Sequence, residues 1–443
     1  MFRSLFTRVV LLVALCLSAV VPAQAELRID INRGTTEPIP IAIPEFAGST
    51  PESTKMGSDL VQVINNNLVR SGLFRIIDPA SYVQDAASLQ QQPRFGDWRV
   101  LNSQALVVGK VEPLGDGQLK VEFRLWDVFS EQQMTGLSYK TAPQNWRRIA
   151  HIISDAIYKR ITGEDGYFDT RIVYISETGP GTARIKRLAI MDQDGENHKY
   201  LTDGKSLVLT PRFSPNSQEI LYMSYANKAP RVFLRDLQSG QEESLGRFDG
   251  MSFAPRFSDD GNKAVMSIAK GGSTQIFTMD LRSRQLKQLT NTPGAINTSP
   301  SFSPDGSRIV FNSDRGGSQQ LYVMDAGGGN VQRISFGSGN YGTPVWSPRG
   351  DLIAFTKMEG GTFYIGVMRV DGSGERMLAN SFLDEGPTWS PNGRVIMFFR
   401  QSRSRGGSGS SRLYSVDLTG ANLREVVTPS DASDPAWSPR LPM

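Results

Sequence analysis

Pro300-Ser301-Phe302-Ser303-Pro304-Asp305-Gly306, followed by Ile309-Val310-Phe311 and Met324-Asp325, is one complete statement of the repeat that decides this fold. The opening phrase returns as Pro211-Arg-Phe213-Ser-Pro, Pro255-Arg-Phe257-Ser-Asp, Pro344-Val-Trp346-Ser-Pro, Pro387-Thr-Trp389-Ser-Pro and Pro435-Ala-Trp437-Ser-Pro, about every 44 residues. The second phrase keeps step, from Ile172-Val-Tyr174 to Val395-Ile-Met397, and so does the third, from Met191-Asp192 to Val416-Asp417. Within a unit, Ser303-Pro304-Asp305-Gly306 suits a type I turn, with proline preset at its second position and glycine at its fourth. Arg308–Asn312 and Gln320–Met324 are short β-branched or aromatic runs between glycine clusters, the pattern of strands. Four short strands in such a unit make one propeller blade. The aromatic after each proline is expected between neighbouring blades, because a lone four-stranded sheet leaves both faces uncovered.

Ring closure follows from the ends of the repeat. The first unit begins at Arg171 without a proline-aromatic phrase, and the last phrase, at Pro435, has no strand after it. The final strand is therefore expected to complete the first blade, closing six blades and leaving no open sheet edge. Asp259 stands where the turn proline would be, Ser217 replaces the turn glycine, and Arg369 replaces the hairpin aspartate.

The chain in front of residue 166 has a different texture. Residues 1–25 carry Arg3 and Arg8, an apolar run Val9–Val21 and an Ala23-Gln24-Ala25 end, the pattern of a secretory signal peptide. The apolar run is about 13 residues, short of the ~20 a spanning helix needs, so no membrane span is expected in the mature protein. The single cysteine, Cys16, lies inside it behind Leu15, which is not the small residue a lipid-attachment site wants. Residues 26–38 read as an extended arm. Residues 39–165 show strands at 39–42, 73–77, 105–111 and 119–127. A helix capped by Ser53 or Thr54 runs to Gly72, and another, capped by Asn145, runs to Gly163. The fold class expected is thus a small α/β domain, with helices on one side of a mixed sheet, followed by the all-β propeller over 166–443.

Composition narrows the function. Of the 443 residues, 48 are Lys or Arg and 44 are Asp or Glu, so no charge excess attracts nucleic acid. With no cysteine after cleavage and two separated histidines, zinc and thiolate chemistry lack ligands. His151, beside the apolar stripe Trp146, Ile149, Ile153, Ile157 and Ile161, reads as solvent-facing, and His198 as a loop residue. Asp192-Gln-Asp194-Gly195 has glycine at the fourth place rather than the sixth of a calcium loop, so it reads as a hairpin turn. No serine-nucleophile elbow is present. No catalytic residue, metal or other cofactor is expected. A binding protein is the favoured class; the alternative is a periplasmic carbohydrate-processing or ligand-binding propeller that uses its central channel.

Signal peptide, small α/β domain and six Pro-x-Phe/Trp-Ser-Pro repeats, in that order, resemble the TolB family of the bacterial Tol–Pal system. Pro40-Ile-Ala-Ile-Pro44-Glu-Phe46 is similar to that family's proline-bounded first strand. The resemblance implies a periplasmic adaptor that supports outer-membrane constriction during division and envelope integrity. In it the propeller holds the lipoprotein Pal and the mature N-terminal arm engages TolA, with other Tol components and outer-membrane proteins as further partners. Carried onto this chain, the arm is Glu26, Leu27, Arg28, Ile29, Asp30, Ile31, Asn32, Arg33 and Gly34. Its alternation of Leu27, Ile29 and Ile31 with polar neighbours suits a strand added to a partner's sheet edge. Strand parity puts the Ser-Pro turns and the Asp hairpins on one propeller face and the longer loops before each proline on the other. Long loops on a rigid scaffold are where binding usually sits. The expected Pal-binding face therefore comprises Met251, Phe253, Ala254, Asn297, Thr298, Tyr341, Thr343 and Glu385.

Overall fold

In the computed structural model, which describes Leu27 and residues 37–216, 218–226, 229–246, 248–403 and 409–442, the chain forms a small α/β domain and a six-bladed propeller. The front domain runs β1 (Ile39–Ala42), β2 (Ala47–Gly48), α1 (Pro51–Arg70), β3 (Phe74–Ile76), α2 (Phe95–Val100), β4 (Ala105–Pro113), β5 (Leu119–Asp127), β6 (Gln133–Thr141) and α3 (Trp146–Thr162). Its sheet order is β3-β1-β4-β5-β6, with β2 beside β4. β1 lies parallel to β3 and β4, whereas β4, β5 and β6 are antiparallel.

The helix starts differ from expectation. α1 begins one turn earlier, where Pro51 presets the first helical position and Thr50 is the cap. The Thr50 hydroxyl accepts from the Ser53 N–H at 3.2 Å, and the Ser53 hydroxyl accepts from the Thr50 N–H at 2.9 Å. Ser53 thus completes a reciprocal capping pair rather than capping alone. Asn145 makes no side-chain cap bond, because a 3₁₀ turn over 143–145 already leads into α3. α1 and α3 cover one sheet face with Leu60, Ile64, Leu68, Ile153, Ile157 and Ile161. The short α2 seals the opposite face, its Trp98 packing with Ala42, Leu106 and Val108, so helices lie on both sides.

The propeller is six four-stranded antiparallel sheets. The C-terminal strand, Asp431–Trp437, pairs with Arg171–Thr178 and is the innermost strand of blade one. Each blade core is shared with a neighbour. Val345, Ile365 and Val367 of blade five pack with Trp389, Ile396 and Phe398 of blade six, and equivalent clusters fill the other junctions. The indole N–H of Trp389 donates to the Val345 carbonyl at 3.1 Å, and that of Trp437 to Thr170 Oγ1 at 2.8 Å. Buried indoles need such partners. The Ser-Pro turns are held by their serine: Ser303 Oγ accepts from the Arg308 N–H at 3.0 Å, while the Gly306 N–H closes on the Ser303 carbonyl at 2.9 Å.

Trp389→Ala should remove a buried aromatic and leave the Val345 carbonyl unpaired. The expected loss is about 3–5 kcal/mol of stability, measured by urea unfolding. A loss below about 1 kcal/mol, the level of an ordinary surface substitution, would mean the junctions do not carry the ring.

Candidate functional site

Each innermost strand bends at a bulge, and the residue before its proline adopts a left-handed backbone. Thr210, Ala254, Ser299, Thr343, Gly386 and Asp434 have φ of 50°, 49°, 53°, 46°, 67° and 50°. The strand registers slip at the same places. The bulge turns the strand so that the residues two before and one after the proline both border the central channel.

Period-two alternation then separates the predicted face into two groups. Three residues before each proline stand Val208, Ser252, Asn297, Tyr341, Asp384 and Ala432, all buried between blades. Asn297 donates to the Thr274 carbonyl at 3.0 Å and to Gln275 at 3.1 Å, and accepts from Arg315 at 2.7 Å. Tyr341 donates its hydroxyl to Glu375 at 2.9 Å. These two side chains are buried and brace the loops, unlike the other residues assigned to the contact face. Met251 is 51% exposed. Phe253, Ala254, Thr298, Thr343 and Glu385 are half-buried around the channel. Thr298 Oγ1 accepts from Ser267 at 3.3 Å and Thr343 donates to Thr356 at 2.8 Å. Burial, with the nearby Asp434 carboxylate, pushes the Glu385 carboxyl up.

The loop face also carries Leu207, Tyr225, Ile296, Phe336, Met358 and Phe382, all exposed large apolar side chains. Ile296 falls in a loop the sequence assigns to this face; the other five were missed because they lie outside the repeated phrases, where no periodic signal marks them. Phe336 is 72% exposed, the sort of side chain that marks an interaction surface when clustered with others.

The opposite face is partly covered by the front domain. Arg147 of α3 pairs with Asp194, and Arg349 with Glu164 at 2.6 Å. Asn392 donates to the Asp165 carbonyl at 2.8 Å and Asn422 to that of Arg70 at 2.7 Å. Asp194, Arg349, Asn392 and Asn422 all belong to Ser-Pro turns or hairpins. His151 lies within this junction at 2% exposure, its Nδ1 2.9 Å from Asn67 Nδ2 and its Nε2 3.9 Å from both Asp192 and Asp194. It is therefore buried, not solvent-facing as its place beside the stripe suggests: α3 is covered by its own sheet on one side and by blade one on another. His198 packs edge-on against Tyr200.

Comparison with known proteins agrees with this two-part layout. Residues 27–134 match the TolB amino-terminal domain and residues 158–441 the TolB beta propeller domain. A "Tol-Pal system protein TolB" of Paramagnetospirillum magneticum is 61% identical over 432 residues, covering 97% of this chain and 96% of the relative. That of Gluconobacter oxydans is 51% identical over 424 residues, covering 95% and 89%. The chain belongs to the TolB family. The crystal structure of TolB from Acinetobacter baumannii superposes with a TM-score of 0.79 at 28% identity, covering 94% of this chain and all of that one. The family places this protein in the Tol–Pal system.

Of the TolB arm assigned above, Leu27 is half-buried against the core that joins the two domains; Glu26, Arg28, Ile29, Asp30, Ile31, Asn32, Arg33 and Gly34 lie outside the described residues. The segment linking the domains is tied to α3 by Asp155, whose carboxylate accepts from the N–H groups of Phe168 at 2.7 Å and Asp169 at 3.1 Å. Burial raises its carboxyl to about 6, against the lowering effect of those two bonds. The native state therefore holds this proton more tightly than the unfolded chain. Its contribution is full below about pH 4 and is lost as pH rises through about 6, amounting to about 2–3 kcal/mol. Asp155→Asn should flatten the stability profile across that window relative to the parent, as followed by urea unfolding at several pH values. Parallel profiles would show that the group titrates normally.

Proposed function

We propose that this chain is a periplasmic adaptor of the Tol–Pal system, binding the lipoprotein Pal on the propeller's loop face and TolA through its N-terminal arm. In that role it supports outer-membrane constriction during division and envelope integrity without catalysing a reaction. The observation that carries the reading is the division of the propeller's two faces. The front domain covers part of the turn and hairpin face, whereas the loop face combines exposed apolar side chains with the half-buried channel rim of Phe253, Ala254, Thr298, Thr343 and Glu385. Exposed large apolar side chains gathered on one face of a rigid scaffold are what mark a protein-binding surface.

The arm reading rests on Leu27. Half-buried against the inter-domain core, it is a shallow anchor that a partner offering a sheet edge can outcompete. Docking on its own protein and pairing with TolA are then alternative states of one segment.

Two titrations against purified Pal and TolA test the proposal. Thr298→Arg puts a bulky charge on the channel rim and should weaken Pal binding about thirtyfold, as a central contact costing about 2 kcal/mol would. Asp305→Lys, on the turn face of the same blade, should leave Pal binding almost untouched. Equal effects would put the site on the wrong face. Removing residues 26–34 should abolish TolA binding with little change in melting temperature, and unchanged TolA binding would remove the arm from the proposal.

A further inference from the structure

The channel's other end holds two arginines that the adaptor reading does not use. The residue after each repeated proline faces the channel beyond the bulge. Around the ring these are Ala436, Arg212, Arg256, Ser301, Val345 and Thr388. Four are small, and the two large ones are cations in adjacent blades. They line a cavity of about 340 Å³ that opens between the Ser-Pro turns on the turn face.

Neither guanidinium is neutralised in the usual way. Arg212 donates to its neighbour's carbonyl, that of Pro211, at 2.6 Å. Among the described residues no carboxylate lies within ion-pair distance of Arg212 or Arg256. Burial lowers the pKa of both, and at Arg256 the charge of Arg212 adds to the effect; Asp434, one level deeper, offsets part of it at Arg212. The acidic groups facing this region are few. Asp434 is engaged by the Thr210 N–H at 3.3 Å, Glu385 beside it has its carboxyl raised, and Asp259 sits out at the mouth. Two like charges lining one cavity from neighbouring blades are unfavourable unless something of opposite charge joins them.

The hydroxyls of the same ring complete a donor set. Ser301 Oγ accepts from the Trp346 N–H at 3.3 Å, and Thr388 Oγ1 from the Trp437 N–H at 3.2 Å. Each hydroxyl has its acceptor role filled by the next blade, which leaves its proton to donate. Guanidinium forks match the oxygens of an oxyanion.

We propose that the turn-face end of the channel binds a compact tetrahedral oxyanion of the phosphate class, held by Arg212 and Arg256 with Ser301 and Thr388 as further donors. The site lies at the far end of the channel from the loops proposed for Pal, so it stands or falls separately from that reading.

Inorganic phosphate, titrated calorimetrically at constant ionic strength into the full mature chain, is the probe. The expected result is one saturable site whose affinity falls about tenfold or more in Arg256→Gln. Lys205→Gln, which removes the same charge from an exposed surface residue, should bind as the parent does. Without phosphate, Arg256→Gln should melt no lower than the parent, since it relieves a repulsion; with phosphate only the parent should gain melting temperature. Should Arg256→Gln fail to fold, Arg256→Lys keeps the charge without the fork and must bind phosphate more weakly than the parent. Absence of saturable binding to the parent, undiminished binding by the Arg256 variant that folds, or a preference for succinate over phosphate would each overturn the proposal.

Discussion

A four-stranded sheet cannot bury its own two faces, and everything in this propeller follows from the need to cover them. Each blade is stable only between two others, so the stack must close on itself or end in exposed apolar surface. Closure is achieved by pairing Asp431–Trp437 with Arg171–Thr178, which joins the last strand of the chain to the first of the ring. The hairpin glycines show that this junction is built like the rest. A side chain on Gly195 would meet the Val427 carbonyl of blade six, just as one on Gly328 would meet the Leu289 carbonyl of the preceding blade. Both have φ of 98°, so both the tight approach and the backbone conformation require glycine.

The closing junction is also where the front domain attaches. Trp437, Val395, Met397 and Leu413, between blades six and one, belong to the same buried cluster as Tyr158, Tyr167, Phe168 and the sheet residues Val121 and Phe123. The two domains thus share one core across the closure. That shared core decides which propeller face is partly covered, and with it which face keeps its loops clear of the front domain.

Much of this was legible in the sequence, for a definite reason. A repeat states each constraint six times, so the turn serine, the bulge proline and the junction aromatic stand out against positions that vary. The front domain states its constraints once. β6 (Gln133–Thr141) is a largely exposed edge strand with no buried alternation, so no periodic signal marks it, and Thr50 was hidden by two neighbouring hydroxyl residues that could also cap. The burial of Asn297 and Tyr341 was hidden for another reason. They sit in the predicted loops, but a single step along a strand changes the face, and sequence alone does not tell which parity enters the channel. His151 depended on the docking of a second domain, which no local pattern encodes.

The bulge ring links the ring's stability to its use. Five of the six residues before the repeated prolines carry a side chain in the left-handed region, and only Gly386 is glycine. A residue before proline is already disfavoured in compact backbone conformations, and strained positions of this kind cost about 1–3 kcal/mol each. Such strain persists only where the surroundings over-determine it, and here the neighbouring blades do so through bonds such as that from the Thr210 N–H to Asp434. What the strain achieves is orientation. Without the bulge, alternation would direct the residues two before and one after each proline to opposite faces of the strand. With it, Thr298 and Ser301, Phe253 and Arg256, and Glu385 and Thr388 all border one channel. The same backbone device thus supplies the rim on the loop face and the donor ring on the turn face, which is why one narrow channel can present different chemistry at its two ends.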